Sequence, residues 1–171
     1  MGIFGRNNDH DGVRRFRMRT KLASIGDDFW IEDQDGERAY KVDGKAMRIR
    51  ETFILEDSGG REVAKIQERK LSVRDKIAIE RDGESVATVR KALIGFRDRF
   101  SIDVKGGAEL KARGDFIDRE YEIERDGDVV AEVSQKWFRI RNTYGVQVRA
   151  GEDEALMLAI VVAIGLVSDE D

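Results

Sequence analysis

Ala155-Leu156-Met157-Leu158-Ala159-Ile160-Val161-Val162-Ala163-Ile164-Gly165-Leu166-Val167 is an unbroken run of thirteen apolar residues. Glu152, Asp153 and Glu154 stand immediately before it, and Asp169, Glu170 and Asp171 follow Ser168. Its length, with Ala, Leu and Met at the start, favours a helix over a strand, although Ile160-Val161-Val162 weakens that preference. The acids ahead of it suit a helix N-terminus, where carboxylates meet the positive end of the dipole. A helix apolar on every face must be buried all round. Thirteen residues at about 1.5 Å each reach roughly 20 Å, short of the roughly 30 Å hydrocarbon core of a bilayer. The flanks are acidic and lack the Lys, Arg, Trp or Tyr usual at a membrane interface. The interior of the chain's own fold is therefore the better home for this segment, with a membrane anchor and a core strand as the alternatives.

The rest of the chain supplies the container. Asp35-Gly36, Gly59-Gly60, Asp82-Gly83, Gly106-Gly107 and Asp126-Gly127 are spaced 24, 23, 24 and 20 residues apart. Such pairs provide the positive-φ residues of tight hairpins. The flanking sequence recurs as well. Ile54-Leu55-Glu56 and Val63-Ala64-Lys65-Ile66 bracket one turn, Ile79-Glu80-Arg81 and Val86-Ala87-Thr88-Val89 the next, and Ile123-Glu124-Arg125 and Val130-Ala131-Glu132-Val133 a third. Alternation with a period of two is clear. Phe16, Met18 and Leu22 oppose Arg15, Arg17, Arg19 and Lys21. Met47, Ile49 and Phe53 oppose Arg48 and Arg50, and Phe100, Ile102 and Val104 oppose Arg99, Ser101 and Asp103. This is the period of a sheet with one buried face. Counting such segments predicts about twelve strands of five to ten residues. The absence of proline suits a chain made of paired strands, because proline removes a ladder donor. The expected fold is mainly β: a closed antiparallel barrel of about twelve strands around a buried hydrophobic C-terminal α-helix. Residues 1–12 read as a flexible N-terminal segment, 13–168 as one domain with its helix at about 153–167, and 169–171 as an acidic tail.

Composition excludes several chemistries. With no cysteine, disulfides, thiolate catalysis and Cys-ligated metal centres are out of reach, and a cytoplasmic location is expected. The single histidine, His10, lies in a polar stretch, which argues against a His-based triad or a multi-histidine metal site. The net charge of −4 hides an acidic C-terminal stretch; outside residues 152–171 the chain is mildly basic, too mildly for a nucleic-acid footprint. Asn7, Asp9, Asp11 and Gly12 imitate the start of a calcium loop, but the twelfth position is Met18 where a bidentate Glu is needed. Arg113-Gly114-Asp115 is a chance tripeptide, and no glycine-rich stretch continues as a phosphate loop. The N-terminus has neither the basic and apolar regions of a signal peptide nor the Ser or Thr that myristoylation prefers. No cofactor and no transmembrane span are expected.

The stretch Val63-Ala64-Lys65-Ile66 through Lys70-Leu71-Ser72-Val73-Arg74-Asp75-Lys76, with Ile79, Gly83 and Val86-Ala87-Thr88-Val89 after it, resembles the LURP-one-related family. That family belongs to the Tubby C-terminal-like superfamily, which also holds the phospholipid scramblases. The tail Asp153-Glu154-Ala155-Leu156 and its apolar run are similar to the family's closing helix. The resemblance covers roughly residues 14–167 and implies a twelve-stranded barrel around that helix. Tubby proteins bind phosphoinositides and tether to membranes, and plant relatives are linked to defence. No ligand-binding residue of theirs is carried over to a position here, and a scramblase role is disfavoured for want of a spanning segment.

The candidate anionic-ligand face is the basic strand carrying Arg15, Arg17, Arg19 and Lys21, beside Arg14, with no acid among them. Guanidinium groups bind phosphate bidentately, so such a row suits anionic lipid head groups. It also reads as an outer strand face kept soluble by charge and neutralised by acids on neighbouring strands. Weaker candidates are Lys70, Arg74 and Lys76 in the family-like motif, and Arg139 and Arg141 after Trp137 and Phe138, an arginine–aromatic cluster of the kind found at interface hot spots. The function expected from these residues is a non-catalytic binding or scaffold module. It would recognise phospholipid or phosphoinositide head groups and sit peripherally at a membrane. A protein-interaction or stress-regulatory module is the alternative, and a carboxylate-based enzyme ranks third.

Overall fold

The computed structural model describes residues 12–19, 28–43, 52–69, 76–94, 97–138 and 143–169. Among the described residues twelve strands precede one helix. They are β1 (Arg14–Arg19), β2 (Phe29–Asp33), β3 (Arg38–Asp43), β4 (Thr52–Asp57), β5 (Glu62–Arg69) and β6 (Lys76–Arg81). Then come β7 (Glu84–Ile94), β8 (Arg97–Val104), β9 (Leu110–Asp115), β10 (Glu120–Arg125), β11 (Asp128–Ser134) and β12 (Thr143–Val148), followed by α1 (Glu154–Asp169). Each strand pairs antiparallel with its chain neighbours, and β1 closes the ring against β12 from Arg14↔Val148 to Arg19↔Thr143. The barrel therefore has no free edge. The expected strand alternation at Met47–Arg50, the residue Leu22 and the N-terminal segment up to residue 11 lie outside the described residues.

The period-two pattern fills the lumen. Phe16 and Met18 of β1, Ile77 and Ile79 of β6, Phe100 and Ile102 of β8, and Tyr144, Val146 and Val148 of β12 are all buried. Every residue from Leu156 to Gly165 of α1 is buried too. Successive helical residues turn by about 100°, so a buried stretch this long leaves no face toward water. The helix occupies the barrel's interior, as its sequence demanded. Burial on all sides also explains why the β-branched residues at its centre are tolerated, since tertiary packing outweighs a small propensity cost.

The five glycine-pair turns are hairpins (β2–β3, β4–β5, β6–β7, β8–β9 and β10–β11), and the up-and-down path puts them all on one rim. Asp82-Gly83 and Asp126-Gly127 have φ of 50° and 79°, and 51° and 85°, the positive pair a two-residue turn requires. In the two four-residue turns the aspartate acts as a template. Asp33 Oδ1 accepts from the amides of Asp35 and Glu37 at 2.9 and 3.0 Å, and Asp57 Oδ1 accepts from Gly59 and Arg61 at the same distances.

The recurring apolar-Glu step before each of four turns has a structural meaning. Register shifts fall between Ile31 and Glu32, Leu55 and Glu56, Ile79 and Glu80, and Ile123 and Glu124. Each leaves one extra residue on the return strand, a bulge that bends and twists the wall. The carbonyls of the bulged Val86 and Val130 accept from the amides of Lys105 (2.9 Å) and Arg149 (3.0 Å). The carbonyl of Val63 is satisfied differently, by Arg81 Nε at 3.1 Å.

Candidate functional site

The rim that carries the glycine turns also receives the start of α1. Asp153 caps the helix: its Oδ1 accepts from the Leu156 amide at 3.1 Å, and its carbonyl accepts from Met157 at 3.0 Å. The same carboxylate takes both terminal nitrogens of Arg81, with Nη2 to Oδ1 at 2.8 Å and Nη1 to Oδ2. Glu152 is held by Arg125 at 2.7 and 2.9 Å and by Arg149 at 3.2 Å, and its side chain is only 9% exposed. Arg14 reaches Glu154 at 3.4 Å. Strands β1, β6 and β10 and the exit from β12 thus each send an arginine to the acids at the helix entrance. The Arg81 hydrogen bonds hold the Asp153 carboxyl below its ordinary value despite burial, and Arg125, then Arg149, do the same for Glu152. Tyr40 is pushed up to about 12 by burial and by the neighbouring Glu154 carboxylate. This ring fixes the helix in the barrel; with every acid paired to an arginine it offers a ligand little.

The candidate ligand face lies on the outer wall at β1. Phe16 and Met18 point inward, so Arg15 and Arg17 face out, opposite Gln147 and Gly145 of β12. Arg17 is also opposite Glu32 of β2 and forms an ion pair with it. The outer side of β12 is covered here. A Cβ on Gly145 would lie 2.5 Å from Trp137 Cε3 and 2.9 Å from Phe138 Cε2, so glycine is what lets the aromatic pair lie flat on the wall. The Arg17 guanidinium is 6.0 Å from the centre of the Phe138 ring, within cation–π range. Arg15, Phe16, Arg17 and Phe138 line a shallow cleft of about 90 Å³, closed by Asp33, Gln34 and Gly36 of the β2–β3 turn.

The structure brings Arg15 and Arg17 together and divides their roles. Arg17 has an acidic partner; Arg15 is half-buried and forms no ion pair among the described residues. Arg19 ends β1 opposite Thr143. Lys76 opens β6 on a distant part of the wall, opposite Arg90. Lys21, Lys70, Arg74, Arg139 and Arg141 lie outside the described residues. The arginine ring was not foreseen, although the repeated Ile-Glu-Arg-Asp-Gly at 79–83 and 123–127 was its signal: both of those arginines grip consecutive acids of the helix entrance. Among the described residues no three acids or histidines stand close enough to hold a metal ion.

Closed antiparallel staves around a fully enveloped helix define the class: a helix-filled β-barrel. Within that class the chain belongs to the LURP-one-related family, whose model matches residues 14–165. An X-ray structure of a protein from Arabidopsis thaliana has the same fold, with a TM-score of 0.66 over 94% of this chain and 91% of that one, at 16% sequence identity. No curated protein matches the sequence significantly. Among the described residues no helix is long and apolar enough to cross a membrane.

Proposed function

We propose that this barrel is a non-catalytic docking module that meets anionic phospholipid head groups through the outer face of β1. The observation that carries the reading is the cleft where Arg15 and Arg17 lie beside Phe138, with Arg15 unengaged by any carboxylate among the described residues. A guanidinium offers phosphate a planar pair of donors, and a half-buried aromatic beside it suits the interfacial layer. Phosphoinositide head groups, the ligands of Tubby proteins, fall in the same chemical class. Peripheral attachment at the anionic cytoplasmic leaflet is the corollary, each basic residue near such a surface contributing about 1 kcal/mol.

Flotation with phosphatidylcholine vesicles, with and without phosphatidylserine, tests the reading. Binding is expected only to the anionic vesicles, to weaken as salt rises, and to drop in Arg15→Gln. Equal recovery with neutral vesicles, or none with anionic ones at low salt, refutes it. The Trp137–Phe138–Arg17 cluster favours one competing occupant, a protein partner. A stoichiometric soluble complex in a pull-down, without vesicle binding, selects that alternative.

A further inference from the structure

The strand register exposes a second basic surface that the linear sequence disperses. On the outer wall Lys76 of β6 stands directly opposite Arg90 of β7, Arg90 opposite Ser101 of β8, and Ser101 opposite Lys111 of β9. One row nearer the other rim, Arg99 of β8 faces Arg113 of β9. Their strand neighbours Ile77, Val89, Phe100, Ile102, Leu110 and Ala112 are buried in the lumen, so these five cations point outward. Arg90 pairs with Asp103 at 3.0 Å and Arg113 with Glu124 at 3.7 Å. Lys76, Arg99 and Lys111 form no ion pair among the described residues. Two like-charged pairs, Lys76–Arg90 and Arg99–Arg113, stand directly opposed, while Glu122 and Glu124 of β10 stand opposite Arg113 and Lys111 on the far side of β9; an anion over the wall would ease the repulsion that remains around Lys76 and Arg99.

The topology places this surface opposite the first. Strands β1 and β7 are six steps apart in a ring of twelve, so a flat membrane touching β1 leaves β6–β9 facing the other way. We propose that the β6–β9 wall is a second docking surface for an anionic bilayer, so that one molecule bridges two membranes; the bridging half of this inference rests on the proposed role of β1. The occupant follows from how the charge is laid out. The cations spread over four strands, about 15 Å at the usual strand spacing, and laterally mobile lipid phosphates reach fixed cations without a complementary groove. Asp103, Glu109, Glu122 and Glu124 interrupt the patch, and mobile lipids can arrange themselves around these acids where a rigid polyanion such as nucleic acid cannot.

The test uses the full chain with phosphatidylcholine vesicles containing roughly 30 mol% phosphatidylserine, read both by flotation and by clustering in dynamic light scattering. The wild type is expected to float and to cluster vesicles. The variant Lys76→Gln/Arg99→Gln/Lys111→Gln is expected to float still and to lose clustering, its wall weakened on the order of a hundredfold for three cations. Its melting temperature should be close to the wild type's, because the repulsion relieved at Lys76 and Arg99 offsets the attraction lost between Lys111 and Glu124; that measurement separates loss of the surface from loss of the fold. Flotation of the wild type without clustering, or clustering unchanged in the triple variant, overturns the proposal while leaving the β1 reading intact. Loss of flotation in the triple variant but not in Arg15→Gln makes β6–β9 the membrane face and overturns the β1 reading instead. No flotation of the wild type, or stoichiometric capture of an acidic protein in its place, overturns both.

Discussion

Replacing Asp153 tests how the helix is anchored. Its carboxylate caps α1 and also accepts the fork of Arg81, whose Nε in turn satisfies the bulged Val63 carbonyl. Losing an N-cap costs about 1 kcal/mol. The ion pair is partly solvated, with side chains 28% and 46% exposed, so it is discounted to about 1 kcal/mol. Asp153→Ala should therefore cost about 2 kcal/mol, a fall in Tm of about 4–8 °C for a chain of this size. Asp153→Asn keeps a capping oxygen and loses the charge, so it should cost about half as much. Arg81→Lys keeps the charge but leaves the Val63 carbonyl without its Nε donor, and about 1 kcal/mol is expected from that bond. Urea denaturation of the four proteins, with Arg81→Ala and the double variant Arg81→Ala/Asp153→Ala completing a cycle, measures each part. A coupling energy below about 0.3 kcal/mol would show that the pair does not anchor the helix. Asn as costly as Ala would show that the cap contributes nothing.

Acid should unlock the same rim. Asp153 and Glu152 titrate below their ordinary values of 3.8 and 4.5 in the folded chain, so their contribution is complete above those values and is lost as pH falls through the folded ones. A denaturation midpoint that stays flat from neutral pH down to about pH 2 would contradict this. Gly145→Ala drives a methyl group into Trp137 and should cost about 1–3 kcal/mol, with a red shift in tryptophan emission as the indole lifts off; an unshifted spectrum and unchanged stability would refute the stacked arrangement. Ile160→Ala, at the fully buried middle of α1, should cost about 2–5 kcal/mol in urea, and a loss under 1 kcal/mol would mean the lumen is not packed around it. Glu32→Gln releases Arg17 and should tighten anionic vesicle binding by about fivefold; weaker binding would show that the pair, and not the free cation, forms the site.

The features legible in the sequence are those encoded locally. Asp82-Gly83 and Asp126-Gly127 announce their own turns, alternation at Phe16 and Met18 announces which side faces in, and an all-apolar run from Ala155 to Val167, too short for a bilayer, favours an enveloped helix. The helix begins at Glu154, just after its cap Asp153, and runs through Ser168 to Asp169, slightly past the apolar run. What escaped is everything fixed by register. Nothing near Arg17 in the chain points to Glu32, which lies across a strand pair, and nothing near Lys76 points to Lys111 three strands on. Thr143, Gly145 and Gln147 alternate as an outward face should, yet all are buried, and at Gly145 the cover is Trp137 and Phe138 returning over β12. The arginine ring was hidden for a related reason. Arg81 and Asp153 are 72 residues apart and meet only after the barrel closes.

The position of α1 in the chain has a bearing on assembly during synthesis. Every stave is made before the core it must surround, so Phe16, Ile31, Leu55 and the other lumen residues emerge from the ribosome with nothing to pack against. The hairpins between them form early, because their contacts are short-range. The seam from β1 to β12 and the filling of the lumen come last and together. Until then the growing sheet is an open trough with a greasy inner surface, the state in which such a chain is most prone to aggregate and most in need of a chaperone.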